Sequence, residues 1–218
     1  MGGMTVPLRK PQWPPRTGDL GRSESQRVGH GARPRPHARR PEVVIDGESY
    51  RPNVGICLLN SDNKVFLGRR VTSRSQFLLQ MPQGGMDAGE EPLQAAFREL
   101  QEETGITSVE TVATIPRWLV YDFPDELRAA MSSSWRNYRG QAQQWFLMRF
   151  TGDDSEICLE QPGHKREFAN YTWADLQSAP RTCVPFKRHV YEEVVREFAP
   201  IVQGGAMPSG VVSLDEGS

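Results

Sequence analysis

Three carboxylates spaced within about one and a half helical turns, Glu99, Glu102 and Glu103, are the residues of this sequence best suited to do chemistry. At i, i+3 and i+4 of a helix they converge on one face, where like charges repel and weaken the helix. A divalent cation removes that repulsion, and hard oxygen ligands of this kind suit Mg²⁺ or Mn²⁺ and not zinc. Upstream, Gly84 and Gly85 let main-chain atoms approach a metal or a phosphate closely. Arg98 lies among the glutamates and is suited to fix their orientation through a forked ion pair with Glu90. Gly105 then stands where a C-cap would end the helix. Glutamate pairs on helices are usually solvated surface features. Here, however, Gly84, Glu90, Arg98, Glu99, Glu102, Glu103 and Gly105 form one fixed pattern, with aliphatic Leu100 and Ile106 at two more positions. At ordinary residue frequencies a random chain of this length would match it with a probability on the order of 10⁻⁸.

Something must hold these groups in place. Leu93, Ala96, Phe97 and Leu100 form a stripe at the spacing of a core-facing helix, which predicts a helix over residues 92–104 behind a Gly-rich loop at 82–89. Residues 53–59 and 64–69 read as strands joined by a turn at 60–63. Further strands are expected at 111–116, 143–150 and 170–173, and a last amphipathic helix at 186–198 places Val190, Val194 and Phe198 on one face. Strands interrupted by helices imply an α+β fold, a mixed sheet covered by helices.

The 218 residues suit one domain, expected over 43–202 and flanked by a disordered basic leader at 1–42 and a flexible tail at 203–218. The net charge of -1 conceals an uneven distribution: residues 1–40 hold nine Lys or Arg against Asp19 and Glu24, so residues 41–218 carry 17 basic against 25 acidic groups. An acidic body is a poor general grip for nucleic acid; a polyphosphate would have to be held locally, with metal ions supplying positive charge. No apolar run approaches the roughly 18 residues of a membrane span, so no membrane association is expected. Cys57, Cys158 and Cys183 include no close pair, which argues against a disulfide framework and a zinc site. His30, His37, His164 and His189 show no ligand spacing and receive no metal role. Nothing calls for an obligate protein partner.

The pattern from Gly84 to Ile106 resembles the complete Nudix box of the Nudix hydrolases. The resemblance implies an α/β/α sandwich in which Glu99, Glu102, Glu103 and the Gly84 carbonyl ligate Mg²⁺ or Mn²⁺. One of the three glutamates would act as general base, while Glu90 and Arg98 support the box. Beyond the box, residues 50–198 resemble a subgroup of plant, plastid-type diadenosine tetraphosphate hydrolases and bacterial RNA pyrophosphohydrolases. The similar runs are Tyr50-Arg51-Pro52-Asn53-Val54-Gly55, Gln80-Met81-Pro82-Gln83-Gly84-Gly85, Trp118-Leu119-Val120-Tyr121-Asp122-Phe123-Pro124 and Gly140-Gln141-Ala142-Gln143-Gln144-Trp145-Phe146-Leu147, followed by Glu167-Phe168 and Phe186-Lys187-Arg188. Leu79 departs from the pattern, standing where a Trp is expected.

That likeness implies that Arg51 and Phe186 clamp a base, that Lys187 lies near a phosphate, that Glu167 is a further metal carboxylate, and that Tyr121 and Gln143 line the polyphosphate path. Trp118, Trp145 and Trp173 are assigned to the core. The implied activity is asymmetric cleavage of diadenosine tetraphosphate to ATP and AMP, extending to guanosine tetraphosphate. The alternative is pyrophosphate removal from the 5′-triphosphate end of RNA. A silent nucleotide- or RNA-binding module would have lost a box carboxylate, and none is lost. The basic leader, read as a transit peptide, and the plastid-type likeness together point to a plastid, with mitochondrion and cytoplasm as alternatives.

Overall fold

The computed structural model describes residues 41–72 and 78–214. In chain order the elements are β1 (Val43–Ile45), β2 (Glu48–Leu59), β3 (Val65–Arg70), β4 (Gln83–Gly85), α1 (Pro92–Thr104), β5 (Val109–Asp122), α2 (Asp125–Ala130), α3 (Ser133–Arg136), β6 (Gly140–Phe150), β7 (Phe168–Ala174), α4 (Ala179–Thr182), α5 (Arg188–Val202) and β8 (Val212–Ser213). Up to residue 40 the expected leader lies outside the described residues.

The strands form one mixed sheet in the order β7-β3-β2-β6-β5-β8, with β1 and β4 also paired to β2. The β2–β6 pair is parallel and the others are antiparallel. Alternation along the central strands assigns the two faces. Val54, Ile56 and Leu58 of β2 join Phe146, Met148 and Phe150 of β6 in a core closed by Ala95, Ala96 and Leu100 of α1. The intervening Cys57 and Leu59, with Trp145 and Leu147, face the opposite core, closed by Val190, Tyr191, Val194 and Phe198 of α5. The sheet is thus sandwiched between α1 and α5, the α+β arrangement expected from the sequence. Trp145 is fully buried and Trp173 packs at the edge of the α1-side core, whereas Trp118 is part of neither cluster.

Helix α1 begins with Pro92 at its first turn, where a missing N–H costs nothing. It ends on Gly105 at φ 77°, whose N–H donates to the Gln101 carbonyl at 2.8 Å. Strand β5 runs through Pro116, which lies inside the register shift between Ile115 and Leu119. Proline is tolerated where a ladder bond is already absent. Residues 203–214 of the expected tail return to the sheet: Thr114 pairs with Val212, and Val211 is buried in the α5-side core. Among the described residues no helix is long and apolar enough to cross a membrane.

Candidate active site

The site is organised by the pairing of β4 with β2, which sets Gly84 opposite Val54 and Gln83 opposite Gly55. This brings the Gly-rich segment alongside α1 so closely that a side chain at Gly84 would collide with the Glu99 carboxylate, and one at Gly85 with the Arg51 guanidinium. A Cβ at either position would displace a charged group of the site, the Glu99 carboxylate or the Arg51 guanidinium.

Arg98 is the hub of the helix face. Its Nε and Nη2 donate to the two carboxylate oxygens of Glu90 at 2.7 and 2.8 Å, its Nη1 to Glu99 Oε1 at 2.8 Å, and its Nη2 also to the Gly85 carbonyl at 2.8 Å. Glu90 in turn accepts the Asp87 N–H at 2.8 Å, closing the loop onto the helix. The Arg98 bonds hold the Glu90 carboxyl below its usual range, against a smaller opposing push from burial. One ammonium cannot reproduce this fork. Arg98→Lys is therefore expected to lower unfolding stability by about 1–3 kcal/mol, measured by denaturant titration in EDTA. A variant as stable as the wild type would show that the fork contributes nothing.

The three glutamates sit in different environments. Glu102 is half-exposed, with His164 Nδ1 3.3 Å from its Oε2. Burial pushes the Glu99 carboxyl up, opposed by its bond to Arg98. Glu103 is 7% exposed and accepts the Gln83 N–H at 3.1 Å. Burial raises its carboxyl well above the ordinary range, and the charges of Glu167 and Glu99 add to the rise. Among the described residues Glu103 has no salt-bridge partner. It is a carboxylate stripped of water beside other carboxylates, the environment that a hard divalent cation relieves.

Glu167 lies near Glu103 but is ion-paired with Arg70 at the end of β3, where the β3–β7 register shifts. Among the described residues no three His, Cys, Asp or Glu side chains form a ready-made metal cluster. Arg98 is bonded to Glu99, and Arg70 is paired with Glu167. A metal held by Glu99, Glu102, Glu103 and Glu167 would have those two arginines share or release their carboxylates.

On the other side of Glu103 stands Gln83. Its Oε1 accepts from Lys187 Nζ at 3.0 Å and from Gln143 Nε2 at 3.3 Å, while Gln143 Nε2 also donates to Asn53 Oδ1 at 2.5 Å. Lys187 is 6% exposed and lies 5.0 Å from the Tyr121 ring centre; burial, reinforced by Arg70, pulls its ammonium down to about 7. Tyr121 is buried, donates its hydroxyl to Gln141 Oε1, and is held protonated by burial.

The two residues of the expected base clamp each rest on an aromatic neighbour. Phe186 packs against Tyr121 with ring centres 5.7 Å apart, whereas Arg51 stacks on Trp135 of α3, its guanidinium carbon 4.3 Å from the ring centre. Trp135 was invisible to periodicity because α3 is only four residues long. Trp135→Ala is expected to raise KM about two- to five-fold with little change in kcat, the size of one exposed cation–π contact. Steady-state kinetics with an unchanged KM would remove Trp135 from the site. Gln83, Gln80 and Arg70 carry no local signal of a site, although both glutamines belong to a run that carries the family likeness.

Comparison with known proteins bears on this site. A family profile described as the NUDIX domain matches residues 49–194. An RNA pyrophosphohydrolase of Rhodopseudomonas palustris (strain BisB18) is 48% identical over 172 residues, covering 76% of this chain and 97% of the relative. The protein named Nudix hydrolase 26, chloroplastic, of Arabidopsis thaliana is 46% identical over 158 residues, covering 72% of each chain.

Proposed function

This chain belongs to the Nudix hydrolase family, and from that premise we propose that it removes pyrophosphate from the 5′-triphosphate end of RNA. The observation that carries the chemistry is Glu103, a buried carboxylate without a cation of its own, set between Glu99, Glu167 and the Gln83–Lys187 contact. The RNA reading is supported by the 48%-identical relative, which is named for that activity and matched over 97% of its length.

Glu99, Glu102, Glu103 and Glu167 are the residues that would hold Mg²⁺ or Mn²⁺, a donor set of hard oxygens. When bound, the metal supplies the positive charge that polarises the phosphates and acidifies the attacking water. One of the box glutamates takes the water's proton. Water oxygen joins phosphorus, one bridging P–O bond breaks, and the bridging oxygen departs with the leaving group. Lys187 stabilises the negative charge that collects there. Arg98 and Glu90 keep the carboxylates oriented, and Arg51 on Trp135 offers a flat cationic surface to a base.

A second reading, asymmetric cleavage of diadenosine tetraphosphate to ATP and AMP, is supported by two separate stacking surfaces, Arg51 with Trp135 and Phe186 with Tyr121. The deciding experiment is product analysis on 5′-triphosphorylated RNA and on the dinucleotide, in Mg²⁺, Mn²⁺ and EDTA, beside Glu102→Gln. Conversion of the RNA to its 5′-monophosphate form, lost in EDTA and in the variant, supports the first reading. ATP plus AMP as the only efficient products would transfer it to the second. No cleavage of either by a folded preparation would leave a binding module.

We propose further that residues 1–42 direct the protein to a plastid, a reading supported by their basic composition and by the chloroplastic relative. A fluorescent fusion of those residues that stays in the cytosol of plant cells would refute it.

A further inference from the structure

The loop that carries Glu167 brings a second side chain to the carboxylate face. After β6 the chain passes the C-terminal end of α1 and is fastened to it. The Cys158 N–H donates to the Thr104 carbonyl at 2.8 Å, and the Gln161 side-chain amide donates to the Cys158 carbonyl at 2.9 Å. The approach is so close that a side chain at Gly105 would collide with Gln161. The His164 N–H then donates to the Gln161 carbonyl at 3.1 Å, and the turn sets the imidazole beside Glu102, with Nδ1 3.3 Å from the carboxylate Oε2. Three residues later the same loop places Glu167 near Glu103. Successive helix carboxylates, Glu102 and Glu103, are thus each met by a side chain from one tethered loop.

The imidazole differs in kind from the other groups paired with these glutamates. Arg98 and Arg70 are permanent cations, which can only compete with a metal ion for a carboxylate. A neutral imidazole has a lone pair on one ring nitrogen and can share the ion instead. Two ligands each about 2.1 Å from one ion, at right angles, stand about 3 Å apart, close to the separation of Nδ1 and Oε2. We infer that His164 is a nitrogen ligand to the ion held by Glu102, and that it makes the site prefer a transition-metal dication such as Mn²⁺ over Mg²⁺. The ring proton then sits on Nε2 and Nδ1 faces the ion. The inference rests on the reading of the carboxylate face as the metal site and is independent of which phosphoanhydride is cut. Mg²⁺ binds through oxygen and keeps several waters, so a water replaces the imidazole at little loss. Mn²⁺ belongs to the divalent series for which a nitrogen donor adds affinity. Ligand spacing does not reveal His164, because its neighbour Glu102 belongs to a helix distant in the chain.

The test is Mn²⁺ binding to the full chain, read by pulsed EPR for nitrogen bound to the ion and by calorimetry for affinity. Wild type is compared with His164→Ala and His164→Asn, with thermal melts in EDTA as the folding control. The wild-type Mn²⁺ spectrum is expected to carry the modulation of an imidazole nitrogen, and both variants are expected to lose it. Asparagine keeps a polar contact with Glu102 within reach but offers the metal no nitrogen lone pair. In both variants Kd for Mn²⁺ should rise about tenfold or more, while Kd for Mg²⁺ changes no more than about twofold. His164 is exposed, so both should melt close to the wild type in EDTA. Mn²⁺ bound without a nitrogen signal, or with one that survives both substitutions, overturns the inference and leaves the carboxylate site standing. Tighter binding of both metals in His164→Ala overturns it too, by making the imidazole a competitor for Glu102. No Mn²⁺ binding by the folded wild type overturns the carboxylate reading together with it.

Discussion

Glu103→Gln is expected to lower kcat by about 10³-fold or more while leaving the metal-free protein at least as stable as the wild type. The catalytic loss follows from the role of the carboxylate face. Removing a general base alone costs about 10²–10⁴-fold, and a glutamine also lacks the charge that holds the metal. Stability should move the other way. Glu103 is 7% exposed, receives a single hydrogen bond, from the Gln83 amide, and faces the like charges of Glu167 and Glu99. Glutamine has the same size, and its Oε1 can accept the same N–H. It therefore retains the packing and the hydrogen bond and removes an uncompensated buried charge. The comparison needs kcat with saturating metal and thermal melts in EDTA. A variant that is inactive and also melts well below the wild type in EDTA would make Glu103 a structural residue.

What could be read from sequence divides along the line between local and distant causes. Helix α1 announced itself completely, because its apolar stripe, the Pro92 start and the Gly105 stop are all set by neighbours within a few residues. The Arg98–Glu90 fork was legible for a similar reason: the eight-residue separation spans only the loop end and two turns of helix. The sequence reads as loop at β4, since Gln83-Gly84-Gly85 has no strand propensity and acquires its extended form by pairing with β2, about thirty residues earlier. Pro116 seemed to end a strand that in fact continues to Asp122, because the irregular register there dispenses with the ladder bond that proline lacks. Helices α2 and α3 are too short to show a period. The site residues followed the same division. Glu99, Glu102 and Glu103 stood out by their spacing, whereas Glu167, Phe186 and Lys187 were reached only through family likeness. The Arg70–Glu167 pair, the Gln83–Lys187 bond and the Arg51–Trp135 stack join segments between 84 and 104 residues apart, and no local pattern encodes them.

Metal binding is expected to reverse the pH dependence that these carboxylates impose on stability. Glu99 and Glu103 have folded-state pKa values raised by burial. An acid raised in the folded state binds its proton more tightly there than in the unfolded chain. Its contribution is therefore fully present below the ordinary carboxylate range and is lost as pH rises through the folded value. Glu90 runs oppositely: Arg98 depresses it, so its contribution is present above the ordinary range and is lost as pH falls through the folded value. The metal-free protein should thus lose stability over the interval between the ordinary carboxylate range and the raised folded-state values of Glu99 and Glu103, as these buried groups ionise. Added Mg²⁺ or Mn²⁺ binds only the ionised carboxylates, so its stabilisation should grow across the same interval. At a hundredfold excess over Kd that stabilisation is about 2.7 kcal/mol, and for a domain of this size it corresponds to a rise of roughly 5–10 °C in Tm. Melting curves at pH 5, 6.5 and 8, with Mg²⁺ and with EDTA, measure the effect directly. The Mg²⁺-induced rise in Tm should be largest at pH 8, shrink toward pH 5, and nearly vanish in Glu103→Gln. An equal rise at all three pH values, or one retained in that variant, would place the metal on other residues and separate it from the buried carboxylate on which the catalytic reading depends.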